Sequence, residues 1–284
     1  MKGSLRPPPR LVIFDLDGVV YRGRQVVPGA ADLITALRQK GMLIRFATNA
    51  SMSTRASYVT RLMGMGIVTQ LEEIVTSTWA TIDYLRENLP EVRRVLAVGG
   101  AGMLEELRAA GYEAIAAANA VEAEYDGGTL SASYDVVMAG LDQAFDYRRL
   151  AAATTAIRSG ARFIATNADV RYPRPTGFLP GAGSIVAAIR FASGVEPLVI
   201  GKPEPGIFQA ILHETGVEPG AGLAIGDNPD TDIVAAHRAG IASILVLTGV
   251  ADAATAEALS GERRPDHVAR DPAAVAALLG LSLR

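Results

Sequence analysis

An alternation of short apolar runs with helix-like stretches, repeated almost to the C-terminus, constrains this chain more than any other feature. The runs are Leu11–Phe14, Met42–Ala47, Val92–Val98, Val136–Ala139, Arg162–Ala165, Leu198–Ile200, Leu223–Ile225 and Ser243–Leu247. They are too short for helices, and most are rich in Val, Ile and Leu. Between them lie segments of helical spacing that stop at glycine: Ala30–Lys40 before Gly41, Glu204–Thr215 before Gly216 and Asp230–Ala239 before Gly240. Near-continuous apolar strands separated by helices predict an α/β fold, a doubly wound parallel sheet with helices on both faces.

Composition bounds the rest. A chain of 284 residues fits two domains at about 150 residues each. With 49% hydrophobic and 20% charged residues it is an ordinary globular sequence. Lys and Arg number 27 against 30 Asp and Glu, a net charge of −3, so no global basic field is available to hold nucleic acid. The absence of cysteine excludes disulfides, thiolate zinc sites, iron–sulfur clusters and a Cys nucleophile. No stretch approaches the roughly 20 apolar residues of a membrane span. Met1–Arg10 lacks the apolar core of a secretory signal, so no membrane association and a cytoplasmic location are expected.

In open parallel sheets, ligands bind beyond the carboxyl ends of the strands. After Phe14 come Asp15, Leu16, Asp17 and Gly18; after Ala47, Thr48 and Asn49; after Ile200, Gly201 and Lys202; after Ile225, Gly226 and Asp227. Carboxylates, a hydroxyl and an ammonium at four strand ends are the inventory of a magnesium-assisted phosphate site. Asp15 and Asp17, two apart on an extended chain, point to the same side. Their mutual repulsion raises pKa values, invites a divalent cation and allows one to act as nucleophile and the other as proton donor. Gly18 lets the backbone approach an anion.

Each motif also has a plain structural reading. Asp-Gly is turn chemistry, and Thr48-Asn49 could cap a helix. Lys202 could be a solvated lysine, with Pro203 and Pro205 opening the next helix. One acid of Gly226-Asp-Asn-Pro-Asp-Thr-Asp232 could cap the helix Asp230–Ala239. Their joint occurrence in this order is far more specific than any one of them.

The segments FDLDGVVY (14–21), ATNAS (47–51), GKPEPGIF (201–208) and GDNPDTDI (226–233) resemble the four motifs of the haloacid dehalogenase (HAD) superfamily, in its phosphatase branch. The long insertion between the second and third is similar to that of the NagD-like subfamily, which carries a C2-type cap. GARFIATNADVRYP and PGAGSIVAAI within the insertion share this likeness. The resemblance implies a HAD-like Rossmannoid core split over 1–86 and 191–284, with an inserted α/β cap domain at 87–190.

It further implies a Mg2+-dependent phosphomonoester hydrolase acting on a small phosphorylated metabolite through an aspartyl-phosphate. Glycerol phosphate or phosphoglycolate is the favoured substrate type and p-nitrophenyl phosphate an artificial one. The alternatives are a sugar, nucleotide or pyridoxal phosphate phosphatase, or a phosphotransferase. By the same resemblance Asp15 is the nucleophile and Asp17 the general acid and base. The metal is held by Asp15, the Asp17 carbonyl and Asp227, while Thr48 and Lys202 hold phosphoryl oxygens. Asp232 orients the metal site or Lys202. Asn49, Gly18 and Asn228 match near-site positions, and Asp230 receives no role. Pairing through the cap makes a homodimer an expectation by resemblance.

Within the insertion, Thr166-Asn167 echoes Thr48-Asn49, and motif order assigns the phosphate to Thr48. Asn167 and Asp169 are candidates to face the substrate or to cap a turn. Arg171, Arg174 and Phe178, in an expected loop over 169–181, are candidates to contact the leaving group. Gly99-Gly100-Ala101-Gly102 fails the dinucleotide pattern at Glu105 and reads as a tight strand-to-helix turn.

Overall fold

The computed structural model describes residues 8–120, 133–173 and 177–283. Its contacts separate two units: the described parts of Met1–Thr48, Arg55–Val75 and Lys202–Arg284, and those of Asn49–Thr54 and Thr76–Gly201.

The first unit is built on a six-stranded sheet in the order His267–Ala269, Ala242–Val246, Gly222–Gly226, Leu11–Asp15, Leu43–Thr48 and Ile74–Thr76. Leu11–Asp15 runs parallel to both neighbours, with Phe14 beside Ile225 and Phe46, and Asp15 beside Ala47. Leu11 to Phe14 are all buried, which explains an uninterrupted apolar run where a one-sided strand would alternate. The Phe14 and Phe46 rings pack at 6.1 Å between centroids. The parallel sense brings the C-terminal ends of these strands, and so Asp15, Thr48 and Asp227, to one edge of the sheet.

The second unit has its own parallel sheet, in the order Leu198–Val199, Arg162–Ala165, Val136–Ala139, Arg94–Val98 and Glu113–Ala116. The helix Tyr147–Arg158 buries Ala152, Ala153, Ala156 and Ile157, a single stripe at helical spacing. Asp146 caps it by accepting from the Arg149 N–H at 2.9 Å. This stripe packs with Val137, Phe163 and Ile189 in a core separate from that of the first unit.

The contact division is wider than 87–190, for identifiable reasons. The helix Ser77–Asn88 packs on Ala101–Ala109, and Leu198–Val199 is an edge strand of the second sheet. Asn49–Thr54 joins the same unit because the Met52 carbonyl accepts from Gly102 N–H at 3.1 Å and Ser51 Oγ from Leu141 N–H at 3.1 Å.

Other local expectations also change. The segment expected as a loop contains an antiparallel strand pair, Arg171–Pro173 against Phe178–Pro180. The helix expected from Glu204 begins at Gly206, with Pro205 at its N-cap. The span Asp230–Ala239 opens as a π-helical turn, Pro229–Ile233, before the α-helix Val234–Arg238. Its cap is Asn228, whose Oδ1 accepts from Asp230 N–H at 3.0 Å, and none of the three acids.

Candidate active site

Beyond Asp15 the backbone turns sharply. Gly18 N–H donates to the Tyr21 carbonyl at 2.7 Å, and Val20 N–H to that of Leu16 at 2.9 Å. Gly18 has φ +85°, a left-handed conformation in which a side chain is strained. A Cβ there would also overlap the Asp227 carboxylate. Thr248 Oγ1 pins the turn by donating to the Gly18 carbonyl at 2.6 Å.

Lys202 lies at the centre, 3% exposed. Its ammonium donates to Asp15 Oδ1 at 2.6 Å, to Asp232 Oδ1 at 2.7 Å and to the Ala47 carbonyl at 3.4 Å. Three acceptors match its three N–H groups. Burial alone would push the ammonium toward neutrality, but the two carboxylates outweigh it and hold the lysine protonated. The solvated-lysine reading is thereby excluded.

Asp232 is buried with both oxygens engaged. Oδ1 receives Lys202, while Oδ2 accepts from Asp227 N–H at 3.2 Å and Asn228 N–H at 3.1 Å. It is a bracket between the lysine and the loop carrying Asp227. Asp230 forms an exposed ion pair with Arg263 at 2.6 Å.

Asp227 is buried, and its Oδ2 accepts from Val250 N–H at 2.7 Å. Burial, reinforced by Asp232, pushes its carboxyl up to about 7. Burial also raises Asp15 well above the ordinary carboxylate range; Lys202 opposes the shift, and Asp232 and Asp227 add to it. Glycine clears the space around these acids, since a Cβ at Gly226 would strike Asp232 and one at Gly249 would strike Asp227. One oxygen from each of Asp15, Asp227 and Asp232 lies within 4.8 Å of the others. Three carboxylates around one ammonium leave negative charge uncompensated. That all-oxygen donor set in a backbone cradle suits a hard divalent cation. Asp15 and Asp227 each retain an oxygen outside the hydrogen bonds described above, whereas Asp232 does not.

Asp17 reaches solvent, yet desolvation raises its pKa; Arg61 and the Gly23 N–H pull the other way. The Arg61 guanidinium sits 4.1 Å from the Tyr21 ring centroid and donates to the Gly23 carbonyl at 2.5 Å. Thr48 closes the strand next to that of Asp15.

Asn49, Asn167 and Asp169 belong to the second unit and bond to one another: Asn49 Nδ2 donates to Asp169 Oδ1 at 2.8 Å, and Asn167 Nδ2 to the Asn49 carbonyl at 2.8 Å. The Arg171 guanidinium lies 5.2 Å from the Phe178 ring centroid across this strand pair, and Phe178 is 64% exposed. Arg174 lies outside the described residues. Sequence reasoning missed Arg61 and the Thr248-Gly249-Val250 cradle. The signal for the cradle was present, since these residues follow the expected strand Ser243–Leu247.

A family model described as haloacid dehalogenase-like hydrolase matches residues 12–113, and a second HAD-hydrolase-like model matches 199–275. An acid sugar phosphatase of Staphylococcus saprophyticus is 36% identical over 238 residues, covering 84% of this chain and 86% of its own length. The chain belongs to the haloacid dehalogenase-like hydrolases. Its NagD-like character is borne out by NagD of Escherichia coli, 30% identical with a TM-score of 0.81 over 94% of this chain and 98% of that one. A glycerol phosphate phosphatase of Mycobacterium tuberculosis, solved in complex with magnesium, is 32% identical with a TM-score of 0.82, covering 97% of this chain and 78% of that one.

Proposed function

We propose that this HAD hydrolase is a Mg2+-dependent phosphatase that cleaves small phosphate monoesters through an aspartyl-phosphate on Asp15. The observation that carries the reading is the buried cluster in which Lys202 bonds Asp15 at 2.6 Å and Asp232 at 2.7 Å beside Asp227. Asp15 and Asp227, with the Asp17 carbonyl, would hold the ion. When bound, magnesium neutralises the acids and withdraws charge from the phosphoryl oxygens.

The residues divide the work. An Asp15 carboxylate oxygen attacks phosphorus while the ester P–O bond breaks, and the leaving alkoxide takes a proton from Asp17. Water then attacks the phosphorus of the aspartyl-phosphate and yields its proton to Asp17. The bond from phosphorus to Asp15 breaks, releasing inorganic phosphate and the free carboxylate. Lys202 and the Thr48 hydroxyl stabilise charge on the transferring group. Asp232 keeps Lys202 aimed, and the desolvation that raises Asp17 suits a group that must first carry a proton.

A glycerol phosphate or phosphoglycolate type of substrate is the reading we favour, and the magnesium-bound glycerol phosphate phosphatase supports it. The acid sugar phosphatases at 36–37% identity favour a sugar phosphate as the second reading. A panel of both ester types and p-nitrophenyl phosphate, with and without magnesium, tests the proposal. Phosphate should be released only with the metal, and Asp15→Asn should abolish release. Turnover that survives both chelation and that substitution defeats it. On the same panel, Arg171→Ala and Phe178→Ala should raise KM for some esters and not others, if these side chains select the leaving group.

A further inference from the structure

The asparagines of the two Thr-Asn motifs meet in the second unit. Asn49 follows Thr48 directly, and its carbonyl accepts from Asn167 Nδ2 at 2.8 Å and from Ser77 Oγ at 2.7 Å. Its side-chain amide donates to Asp169 Oδ1 at 2.8 Å. Asp169 is itself fixed, its N–H donating to Asn167 Oδ1 at 3.2 Å and its carbonyl accepting from Gly183 N–H at 2.9 Å. The cluster reaches one more segment, since Gly201 N–H donates to the Thr166 carbonyl at 2.8 Å. A Cβ at Gly201 would fall 2.8 Å from Asn49 Oδ1 and 2.9 Å from Asn167 Cβ. Only glycine allows that approach. One hydrogen-bonded cluster thus grips Asn49 and Gly201, the residues joined covalently to Thr48 and Lys202.

We infer that Asp169 and Asn167 are positioning residues for the phosphate-binding groups, acting through Asn49 rather than by touching the leaving group. This rests on the phosphatase reading above. A carboxylate repels a phosphate ester, whereas an amide N–H is a good partner for it, and the amide is what Asp169 holds. Anchoring Asn49 by both its carbonyl and its side chain fixes the backbone into which Thr48 feeds. Phosphate recognition is lost when such a turn drifts by a fraction of an ångström.

The test measures affinity for inorganic phosphate by calorimetry with magnesium present, and KM for esters whose leaving groups differ in size. Asp169→Ala should weaken phosphate binding about tenfold, the range of a lost charge-assisted hydrogen bond, and raise KM by the same factor for every ester. Asp169→Asn retains the Oδ1 acceptor and should stay within about twofold of the unmodified protein. It carries the test alone if Asp169→Ala does not fold. Asn49→Ala combined with Asp169→Ala should be no worse than the more damaging single change. Unchanged phosphate affinity in Asp169→Ala overturns the inference, as does a loss that varies with the leaving group or an Asp169→Asn variant far weaker than the unmodified protein. Failure of the phosphatase reading would show separately, as an unmodified protein that hydrolyses no ester.

Discussion

The two sheets of this molecule share a plan and differ in chemistry. Both are parallel, both place their first long strand between later ones, and both carry Thr-Asn at a strand end. At the ends of the first sheet, three buried or half-buried carboxylates surround one buried lysine. At the ends of the second lies a cavity of about 210 Å³ with alanine walls. The cavity's charged residues, Arg149 and Asp142, already pair at 3.2 Å. Glycine serves different ends in the two places: Gly18 and Gly249 make room for the Asp227 carboxylate, while Gly99 and Gly102 make room for Met103 and for the Met52 backbone. Topology offers a strand-end crevice in both units, but only the first leaves charge uncompensated, which is why the proposed reaction centre lies there.

The most severe way to break the asymmetry is Asp15→Asn, which removes the charge of the carboxylate proposed as the nucleophile. It should cost on the order of 10⁴-fold or more in kcat, read in a phosphate-release assay. Lys202→Met comes next. It leaves Asp15 and Asp232 buried without their cation, so metal-free stability should fall by about 3–5 kcal/mol, read by denaturant unfolding. Activity should fall by about 10²–10³-fold.

A paired glycine experiment sharpens the contrast. Gly249→Ala should displace Asp227 and weaken magnesium binding by about 10–100-fold. Gly99→Ala meets the Met103 Sδ and Cε atoms at 2.6 Å and should lower the melting temperature with magnesium affinity unchanged. Equal effects on metal affinity would erase the distinction between the two strand ends.

The smallest effect is one of pH. Metal-free Asp227 has its carboxyl pushed up to about 7. From its ordinary value of 3.8 up to that point, the folded state therefore binds more protons than the unfolded chain, and this group makes stability fall as pH rises. Magnesium needs the ionised form, so its affinity and its stabilising effect should grow through pH 7 and level off above. Thermal unfolding at pH 5.5 and 8 with and without magnesium checks this, and Asp227→Asn should flatten the difference.

The first unit's chemistry was legible because four strand ends, three in its own sheet and one in the second, carry residues that a buried parallel sheet has no packing use for. Asp15, Lys202 and Asp227 could be read from position alone, and Asp232 from its motif. The Val250 N–H was not legible, since any residue but proline supplies a backbone donor. Ile74–Thr76, Glu113–Ala116 and His267–Ala269 escaped notice because three or four residues carry too little periodicity to separate strand from loop. The unit boundaries shifted because Leu198–Val199 pairs with Arg162–Ala165, a contact between distant segments that no local pattern announces. The hydrogen bond from Asn49 to Asp169 was not legible either, since it joins residues 120 positions apart.

The central claim is that phosphorus is transferred first to Asp15 and only then to water. Hydrolysis of a phosphorothioate monoester made chiral at phosphorus by sulfur and one heavy oxygen isotope, run in water that carries the other heavy isotope, tests it most directly. Two successive in-line displacements predict net retention of configuration in the released thiophosphate; inversion would mean direct attack by water and would contradict the account.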